Sequence, residues 1–374
     1  MPPFDRSKRR VVIAMMLASS SAAVADKIDL GDDRSISIGA LIQPQFVLAQ
    51  RGAPDGGVSS DMFLRRGRIL LAGQFDHAIS FVLDTDEPNW GKGGDYSSTF
   101  VIQDALASYT VAPELTISAG FMLLPFLRNN IESAGALNTV DFRTAVIRFP
   151  TAHAFRDAGA ELRGLLAGER IYYRFGVFNG IAGKAATMTT EAVNGSDAPR
   201  LTGMIRYNVM GKDDAYAVPG IYFAEDPVIS VGVGADLQNN AIGTVSTPNS
   251  RYLAYAADAF VDVPFDRNNE LVAEGAVIRY DHYPAGMVPD TAFAFYAQAG
   301  YRIFVIEPVA SVEYFNGRLP GSKVTNYRFG LDYWVRKHTY NVKAEVTIPR
   351  QQQVAGAATV ANNLTGVLQA QLSF

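Results

Sequence analysis

One pattern recurs along most of this chain: apolar residues alternate with polar or small residues at a period of two. The clearest instance is the segment 228–238, where Ile229 and Val231 fall on one face and Ser230 and Asp236 on the other. Successive side chains of a β-strand point to opposite sides of a sheet, so the pattern indicates strands with one face in an apolar medium and one in water. Amphipathic helices are nearly absent from the sequence.

The alternation predicts sixteen strands. They are 34–50, 62–76, 77–86, 99–112, 114–124, 156–167, 169–179, 198–209, 227–238, 252–264, 269–281, 291–302, 304–316, 323–336, 338–349 and 364–374. A tilted strand crosses a bilayer with about 9–11 residues, and strands inside hydrocarbon must close into a barrel to satisfy their backbones. The predicted fold class is therefore an all-β, sixteen-stranded antiparallel transmembrane β-barrel.

The connections between the predicted strands alternate in length. Short ones include 112–114 and residue 168, and they alternate with long ones, which is the arrangement of periplasmic turns and outer loops in bacterial outer-membrane barrels. The connection 210–226 is too long for a turn and indicates a missed small helix or a misplaced strand. The longest connection, 125–155, has no convincing period, and in a wide barrel such a loop can fold inward and narrow the lumen.

The first 25 residues are predicted to be a secretory signal. A basic stretch at 6–10 precedes an uncharged run at 11–25, which ends in Ala23-Val24-Ala25 as a signal peptidase requires. The mature barrel would then comprise residues 26–374. The alternative is a membrane anchor, but an apolar run of this length is too short to cross a core of about 30 Å.

Charge and cysteine content exclude several classes of function. The formal net charge is −4, and removal of the basic signal would make the chain more acidic, so nucleic acid is not an expected partner. The sequence contains no Cys, which excludes a disulfide scaffold and a cysteine nucleophile. A soluble secreted β-sandwich or β-helix remains an alternative. The long apolar faces at 293–301 and 327–335, and the aromatic residues near strand ends, favour a strand surface that meets membrane lipid.

The end of the sequence carries the most specific single signal. Leu368, Leu372 and the terminal Phe374 alternate with polar residues in a final amphipathic strand. This pattern looks like the assembly signal that the barrel assembly machinery recognises in outer-membrane proteins. The expected location is therefore the cell outer membrane.

Several segments resemble the family of phosphate-selective porins O and P. The clearest are 63–68 (FLRRGR) and 176–180 (GVFNG), and weaker ones are 120–126, 155–159 and 298–301, in the family's order along the chain. The resemblance implies a sixteen-stranded, homotrimeric channel whose third outer loop folds into the lumen. Family members that select phosphate use wall arginines and constriction lysines, whereas here only Lys92 and Lys184 lie in the first four outer loops.

Arginines are the candidate pore-lining and anion-binding residues. A guanidinium keeps its charge and offers a planar fork of donors to a passing phosphate or carboxylate. On strand parity, or by position in or beside the long loop, the candidates are Arg66, Arg68, Arg128, Arg143, Arg148, Arg156, Arg163, Arg174 and Arg206. The alternative is that each is a solvated lumen side chain paired with a nearby inward acid. Such acids include Asp84, Asp104, Glu161, Asp236, Asp258 and Glu345.

Catalysis and metal binding have little support in the sequence. The four histidines, His77, His153, His282 and His338, all fall in or beside predicted turns or loops and have no zinc-ligand spacing. The acidic group at 84–87 could bind Ca²⁺, but a short acidic edge is more often only hydrated. No catalytic residue, metal or cofactor is predicted.

The sequence therefore predicts a channel and not an enzyme. It would let small hydrophilic solutes and ions diffuse passively through a water-filled lumen, with a mild anion preference set at the narrowest ring. A phosphate- or polyphosphate-specific pore is the alternative within the same class. A barrel-shaped outer-membrane enzyme or adhesin is the alternative from another class.

Overall fold

The alternating segments of the sequence form β-strands. The computed structural model describes residues 26–144, 146–149, 155–183, 194, 196–244, 247–285, 288–352 and 362–374. Its strands are β1 (Asp26–Gly31), β2 (Arg34–Ala49), β3 (Ser59–Gln74), β4 (Ile79–Asp86), β5 (Val101–Ala112), β6 (Leu115–Leu123), β7 (Arg156–Leu166), β8 (Ile171–Phe178), β9 (Arg200–Met210), β10 (Val228–Thr244), β11 (Thr247–Pro264), β12 (Asn269–Ala285), β13 (Val288–Ile303), β14 (Ile306–Gly317), β15 (Val324–Arg336), β16 (Tyr340–Gln351) and β17 (Thr365–Ser373). Two 3₁₀ turns lie at Lys92–Gly94 and Arg128–Ile131. In these described ranges no helix is long and apolar enough to span a membrane.

Strands β2 to β17 form one closed antiparallel barrel of sixteen strands, as the alternation predicts. Each strand pairs with the next along the chain, and β17 closes the barrel on β2, with Gln369 opposite Gln45. The extra strand β1 pairs with the beginning of β2, where Asp26 lies opposite Ile38. The sequence does not predict β1, because a strand of six residues contains too few repeats of the alternation to be recognised. The predicted signal, residues 1–25, lies outside the described residues.

The outward faces of the barrel are apolar. Val233 on β10 and Phe329 on β15 are exposed, whereas Ser230 and Asp236 on the opposite face of β10 are buried. A continuous belt of exposed apolar side chains is unfavourable in water and is the surface that hydrocarbon accommodates. A closed barrel with this exterior is an outer-membrane protein, so the predicted location is confirmed.

The observed strands agree with the predicted ones except at the outer ends of β10 to β13. There Thr244 pairs with Thr247 and Ala285 pairs with Val288, so strand pairing continues through the described parts of the predicted loops 239–251 and 282–290. Beyond the apolar belt both faces of a strand can be polar, so the alternation is lost while backbone pairing continues.

Two segments fill the lumen from its opposite ends. The constriction loop comprises residues 124–155, of which 124–144, 146–149 and 155 are described, and it enters from the end of the long loops. Every residue from 124 to 140 is buried, so the predicted inward-folded loop is confirmed. The inner strap, residues 211–227, enters from the end of the short turns. It is neither the small helix nor the displaced strand that the sequence indicated.

Part of the lumen wall is apolar, which differs from the expectation that inward positions face water. Tyr252, Ile278, Tyr280 and Tyr296 on β11 to β13 point inward and form one buried cluster with Phe126 of the constriction loop. Strands covered on both faces carry apolar residues on both faces. The segment 252–260 has apolar residues on both faces, and this composition is the sequence signal that the constriction loop packs against β11.

Candidate functional site

The constriction loop lies directly against the barrel wall. Gly234 on β10 faces the lumen, and a Cβ added there would overlap the carbonyl oxygen of Phe126. The loop also bonds the opposite wall, because Gln43 on β2 donates to the carbonyl of Ala134 at 3.1 Å and Gln371 on β17 donates to that of Gly135 at 2.8 Å. The loop therefore spans the lumen from β10 to β17.

A buried ionic cluster joins the constriction loop, the inner strap and the wall. Arg128 of the loop lies 2.9 Å from Asp213 of the strap, 2.9 Å from Glu132 and 2.9 Å from Glu274 on β12. Its guanidinium also stacks over the ring of Phe260, 3.4 Å from the ring centroid. All three ion pairs are shielded from solvent, so loss of either charge would leave the other uncompensated in the interior.

The electrostatics of this cluster determine its protonation. Burial alone would raise the pKa of Asp213, but the guanidiniums of Arg128 and Arg206 outweigh it and hold that pKa well below its usual range. Burial and the adjacent Glu274 raise the pKa of Glu132 well above its usual value. The two guanidiniums therefore keep Asp213 ionised.

The inner strap is hydrogen-bonded to the constriction loop through the backbone. The N–H of Ser133 donates to the carbonyl of Val218 at 2.8 Å, and the N–H of Val218 donates to Ile131 at 3.0 Å. Glu132 and Val218 form a parallel β-bridge. The sequence does not predict the strap as a lumen element, because its excess length is interpreted as a small helix or a misplaced strand. Its length and its run of apolar and aromatic residues were the signals against a solvated connection.

The constriction loop also contacts arginines on β3. Asp141 accepts a hydrogen bond from Arg65 Nε at 2.8 Å and one from Arg66 Nη2 at 2.6 Å. Arg66 also donates to Gln43 at 2.9 Å and lies over the ring of Phe142. Asp141 therefore fixes the positions of the Arg65 and Arg66 side chains on the barrel wall. Arg65 was not among the candidates, because a bulge between β2 and β3 changes the local side-chain parity.

A solvent-accessible polar path remains along β3 and β4. The side chains of Arg65 and Asp141 are 23% and 26% exposed, and below them Arg68 and Asp84 are 11% and 10% exposed. Arg328 on β15 is 15% exposed. Gln74, Ser80 and Val82, which face inward toward the end of the short turns, are also half-buried. Most inward positions on β8 to β13 are buried instead, so the accessible path is off-centre.

Five of the other candidate arginines point into the barrel but are buried against carboxylates. Arg156 lies 2.8 Å from Asp104, and Arg174 and Arg163 lie 2.8 Å and 3.4 Å from Glu161. Arg206 lies 2.6 Å from Asp258, and Arg143 lies 3.4 Å from Glu345. Arg148 is exposed, with its guanidinium over the ring of Phe315. Only Arg68 and Arg148 of the nine candidates keep appreciable side-chain exposure, and an anion-binding role stays a prediction for all nine.

The residues of the proposed assembly signal lie at the closing seam. Leu368 and Leu372 face outward and are exposed, and Phe374 is exposed beside them. The N–H of Phe374 donates to the carbonyl of Ala40 at 3.1 Å, and the N–H of Ala40 donates back at 3.0 Å. The last residue therefore ends the pairing of β17 with β2.

The histidines and the acidic group at 84–87 do not converge on one site. His77 is exposed in a turn and His282 lies in β12, while His338 is partly buried and bonded to the carbonyl of Ile221 at 2.9 Å, so it is not a solvated loop residue. Asp84 and Asp86 both bond Arg68 instead of facing one another across a cation. Across the part of the chain that the structure describes, no group of three or more His, Asp or Glu side chains could hold a metal ion. His153 lies outside that part.

Solved structures with a similar fold are outer-membrane porins. OmpF of Salmonella typhi has a TM-score of 0.62 and 11% identity, over 93% of this chain and 100% of that one. The channel DcaP of Acinetobacter baumannii has a TM-score of 0.61 and 13% identity, over 94% and 99%. An anion-selective porin from Comamonas acidovorans has a TM-score of 0.59 and 11% identity, over 91% and 100%.

These likenesses establish the fold. No family model matches the sequence, and no curated protein matches it either. The fold implied by the resemblance to porins O and P is therefore confirmed as that of an outer-membrane porin. Membership of the phosphate-selective family stays a prediction.

Proposed function

We propose that this protein is an outer-membrane channel through which small hydrophilic solutes and ions diffuse passively. One observation carries the proposal: a closed barrel with an apolar exterior keeps an accessible row of polar side chains along β3 and β4, beside a folded-in loop. A barrel of sixteen strands is wide enough for an aqueous channel, and the loop reduces it. The narrow path implies small solutes and a low conductance.

We also propose a mild anion preference. Three partly exposed guanidiniums lie on the path: Arg65 pairs with Asp141, Arg68 pairs with Asp84, and Arg328 on β15 pairs with Glu345. Arginine stays charged at every working pH, so the positive charges along the path persist under all recording conditions. The sign of the local charge at the narrowest ring decides ion preference, and net charge of the whole chain does not.

Reversal potentials in planar bilayers with a KCl gradient test the preference. We expect Arg68→Gln to shift the reversal potential toward cation preference and Arg68→Lys to keep the wild-type value, because lysine retains the charge. Arg34→Gln is the matched control, since Arg34 is exposed on the short-turn end and bonds only to Gly31 and Asp32. A clear cation preference of the wild type would reject the anion preference and leave the channel intact. Absence of any conductance would reject the channel.

A phosphate- or polyphosphate-specific pore is the second candidate. Arg65, Arg66 and Arg68 lie within four residues on one strand, and such a row offers several donor forks to one phosphate. Each of them, however, bonds a carboxylate. Phosphate should inhibit the chloride current if the pore is phosphate-specific, and Arg66→Ala or Arg148→Ala should weaken that inhibition. A chloride current insensitive to phosphate would exclude this candidate.

Targeting and assembly complete the proposal. Residues 1–25 would be removed, and Asp26, where β1 begins, would be the mature N-terminus. The barrel would be inserted by the barrel assembly machinery and form a homotrimer, as one similar barrel from Vibrio cholerae is described in a trimer form. N-terminal sequencing and seminative electrophoresis of the purified protein test these points. A Phe374→Ala variant should reach the outer membrane in smaller amounts, and unchanged amounts would contradict the assembly signal.

A further inference from the structure

The inner strap is longer than a periplasmic turn and folds into the lumen. Connections on this side of outer-membrane barrels are short turns, whereas residues 211–227 enter the lumen. We propose that the inner strap is a second constriction element, which closes the β8–β12 side of the lumen and confines solutes to the path along β3 and β4. The inference rests on the proposed channel function and names what sets its size limit.

The beginning of the strap is anchored to the wall by charge. Asp213 accepts from Arg128 at 2.9 Å and from the hydroxyl of Ser230 on β10 at 2.6 Å, and it lies 3.3 Å from Arg206 on β9. The hydroxyl of Tyr222, further along the strap, donates to the same carboxylate at 2.7 Å. These three hydrogen bonds and one further ion pair therefore converge on one buried acid, which fixes the strap inside the barrel.

The middle of the strap crosses the lumen. Tyr216 donates to Asp104 on β5 at 2.6 Å and accepts from the N–H of Leu123 at 2.9 Å. Val218 pairs with the constriction loop as described above, and the N–H of Gly220 donates to the carbonyl of Ala136 at 2.7 Å. The strap thus contacts the wall and the constriction loop together, so the two segments form one plug.

The end of the strap is held near the mouth at the short-turn end. The N–H of Tyr222 donates to Asp262 on β11 at 2.7 Å, and the ring of Phe223 lies 5.0 Å from those of Trp334 and His338. Phe223 has φ of +50°, a left-handed conformation that is costly for a bulky residue and persists only where packing enforces it. The strap is therefore fixed at both ends and across its middle.

The position of the strap determines which side of the lumen is open. Inward residues beneath it, such as Ser230 and Arg174, are shielded from solvent. The inward residues Ser80 and Gln74, on the far side of the lumen, are partly exposed. The two segments cover different parts of this side: Phe126 of the constriction loop packs against Tyr252, whereas Asp213 of the strap contacts Ser230 and Arg206 nearer the short-turn end.

Replacing residues 213–222 by a short Gly-Ser linker tests the proposal in planar bilayers and in liposome swelling. Because an unfilled barrel of sixteen strands leaves an aqueous channel, we expect conductance to rise about twofold or more, and larger sugars to enter. The matched control shortens the exposed loop between β2 and β3 by removing residues 53–57, and its conductance should equal that of the wild type. Unchanged conductance in a correctly folded strap variant would overturn the proposal.

A second experiment does not depend on the strap variant folding. The chain contains no Cys, so the reactivity of a single introduced cysteine can be measured without background labelling. In the otherwise intact protein, Ser80→Cys should react with a cationic methanethiosulfonate reagent and lose current, whereas Ser230→Cys should stay protected. Equal reactivity at the two positions would overturn the proposal. If the wild type does not conduct but the two cysteine variants show the predicted difference in labelling, the channel function is rejected and the closed side is retained.

Discussion

Replacing Asp141 by Asn tests whether the constriction loop contributes to ion preference. Burial alone would raise the pKa of Asp141, but Arg66 and Arg65 outweigh this effect and hold its pKa well below the usual range. The carboxylate is therefore ionised under all ordinary recording conditions. Because Asn has nearly the same shape and its amide oxygen can still accept from an arginine, the substitution removes one negative charge beside the path and weakens the two ion pairs with Arg65 and Arg66.

The size of the effect follows from Coulomb's law. An ion passing about 5 Å from the site in water interacts with one elementary charge by about 0.8 kcal/mol, and screening at 0.1 M salt reduces this to about 0.5 kcal/mol. Loss of that interaction favours an anion about 2.3-fold and disfavours a cation about 2.3-fold, since about 1.4 kcal/mol corresponds to a factor of ten. We therefore expect the chloride-to-potassium permeability ratio to rise about fivefold.

The assay is the reversal potential across a KCl gradient for purified Asp141→Asn protein. The matched control is Asp55→Asn, because Asp55 is exposed in the loop between β2 and β3 and bonds only to the backbone of Gly57 there. The control should keep the wild-type ratio. An unchanged ratio in the Asp141 variant, with normal folding and conductance, would show that ions do not pass beside this carboxylate and would refute the assigned path.

Three further changes test the packing of the lumen. Gly234→Ala should cost about 1–3 kcal/mol of unfolding free energy in urea, because its Cβ would overlap the carbonyl of Phe126; wild-type stability would contradict that close approach. Arg128→Leu should cost about 3–5 kcal/mol in the same assay by leaving buried carboxylates unpaired, and a loss below 1 kcal/mol would contradict the buried cluster. Burial lowers the pKa of His338 to about 3, and its neutral ring bonds the carbonyl of Ile221. Because the unfolded ring binds its proton near pH 6.5, this stability is present above pH 6.5 and is lost as the pH falls toward 3. His338→Gln should remove that part of the pH dependence of thermal unfolding, and an unchanged profile would contradict the assignment.

Strand parity allowed the wall to be predicted in detail. Arg66, Arg68 and Arg206 were expected to face the lumen, and all three do. Parity does not reveal what lies opposite an inward side chain. Arg206 faces the lumen as predicted, yet the inner strap covers it and Asp258 pairs with it, so its predicted contact with water is not available.

The barrel could be predicted from the amino-acid sequence, because alternation at a period of two is a local property that specifies a strand and its two faces. Which part of the lumen stays open depends on contacts between segments that are distant along the chain. Arg128 meets partners that are 85 and 146 residues away along the chain, on the inner strap and on β12. No local pattern encodes such pairings, since they arise when two connections fold into the same enclosed space and must satisfy each other's charges and backbone groups there.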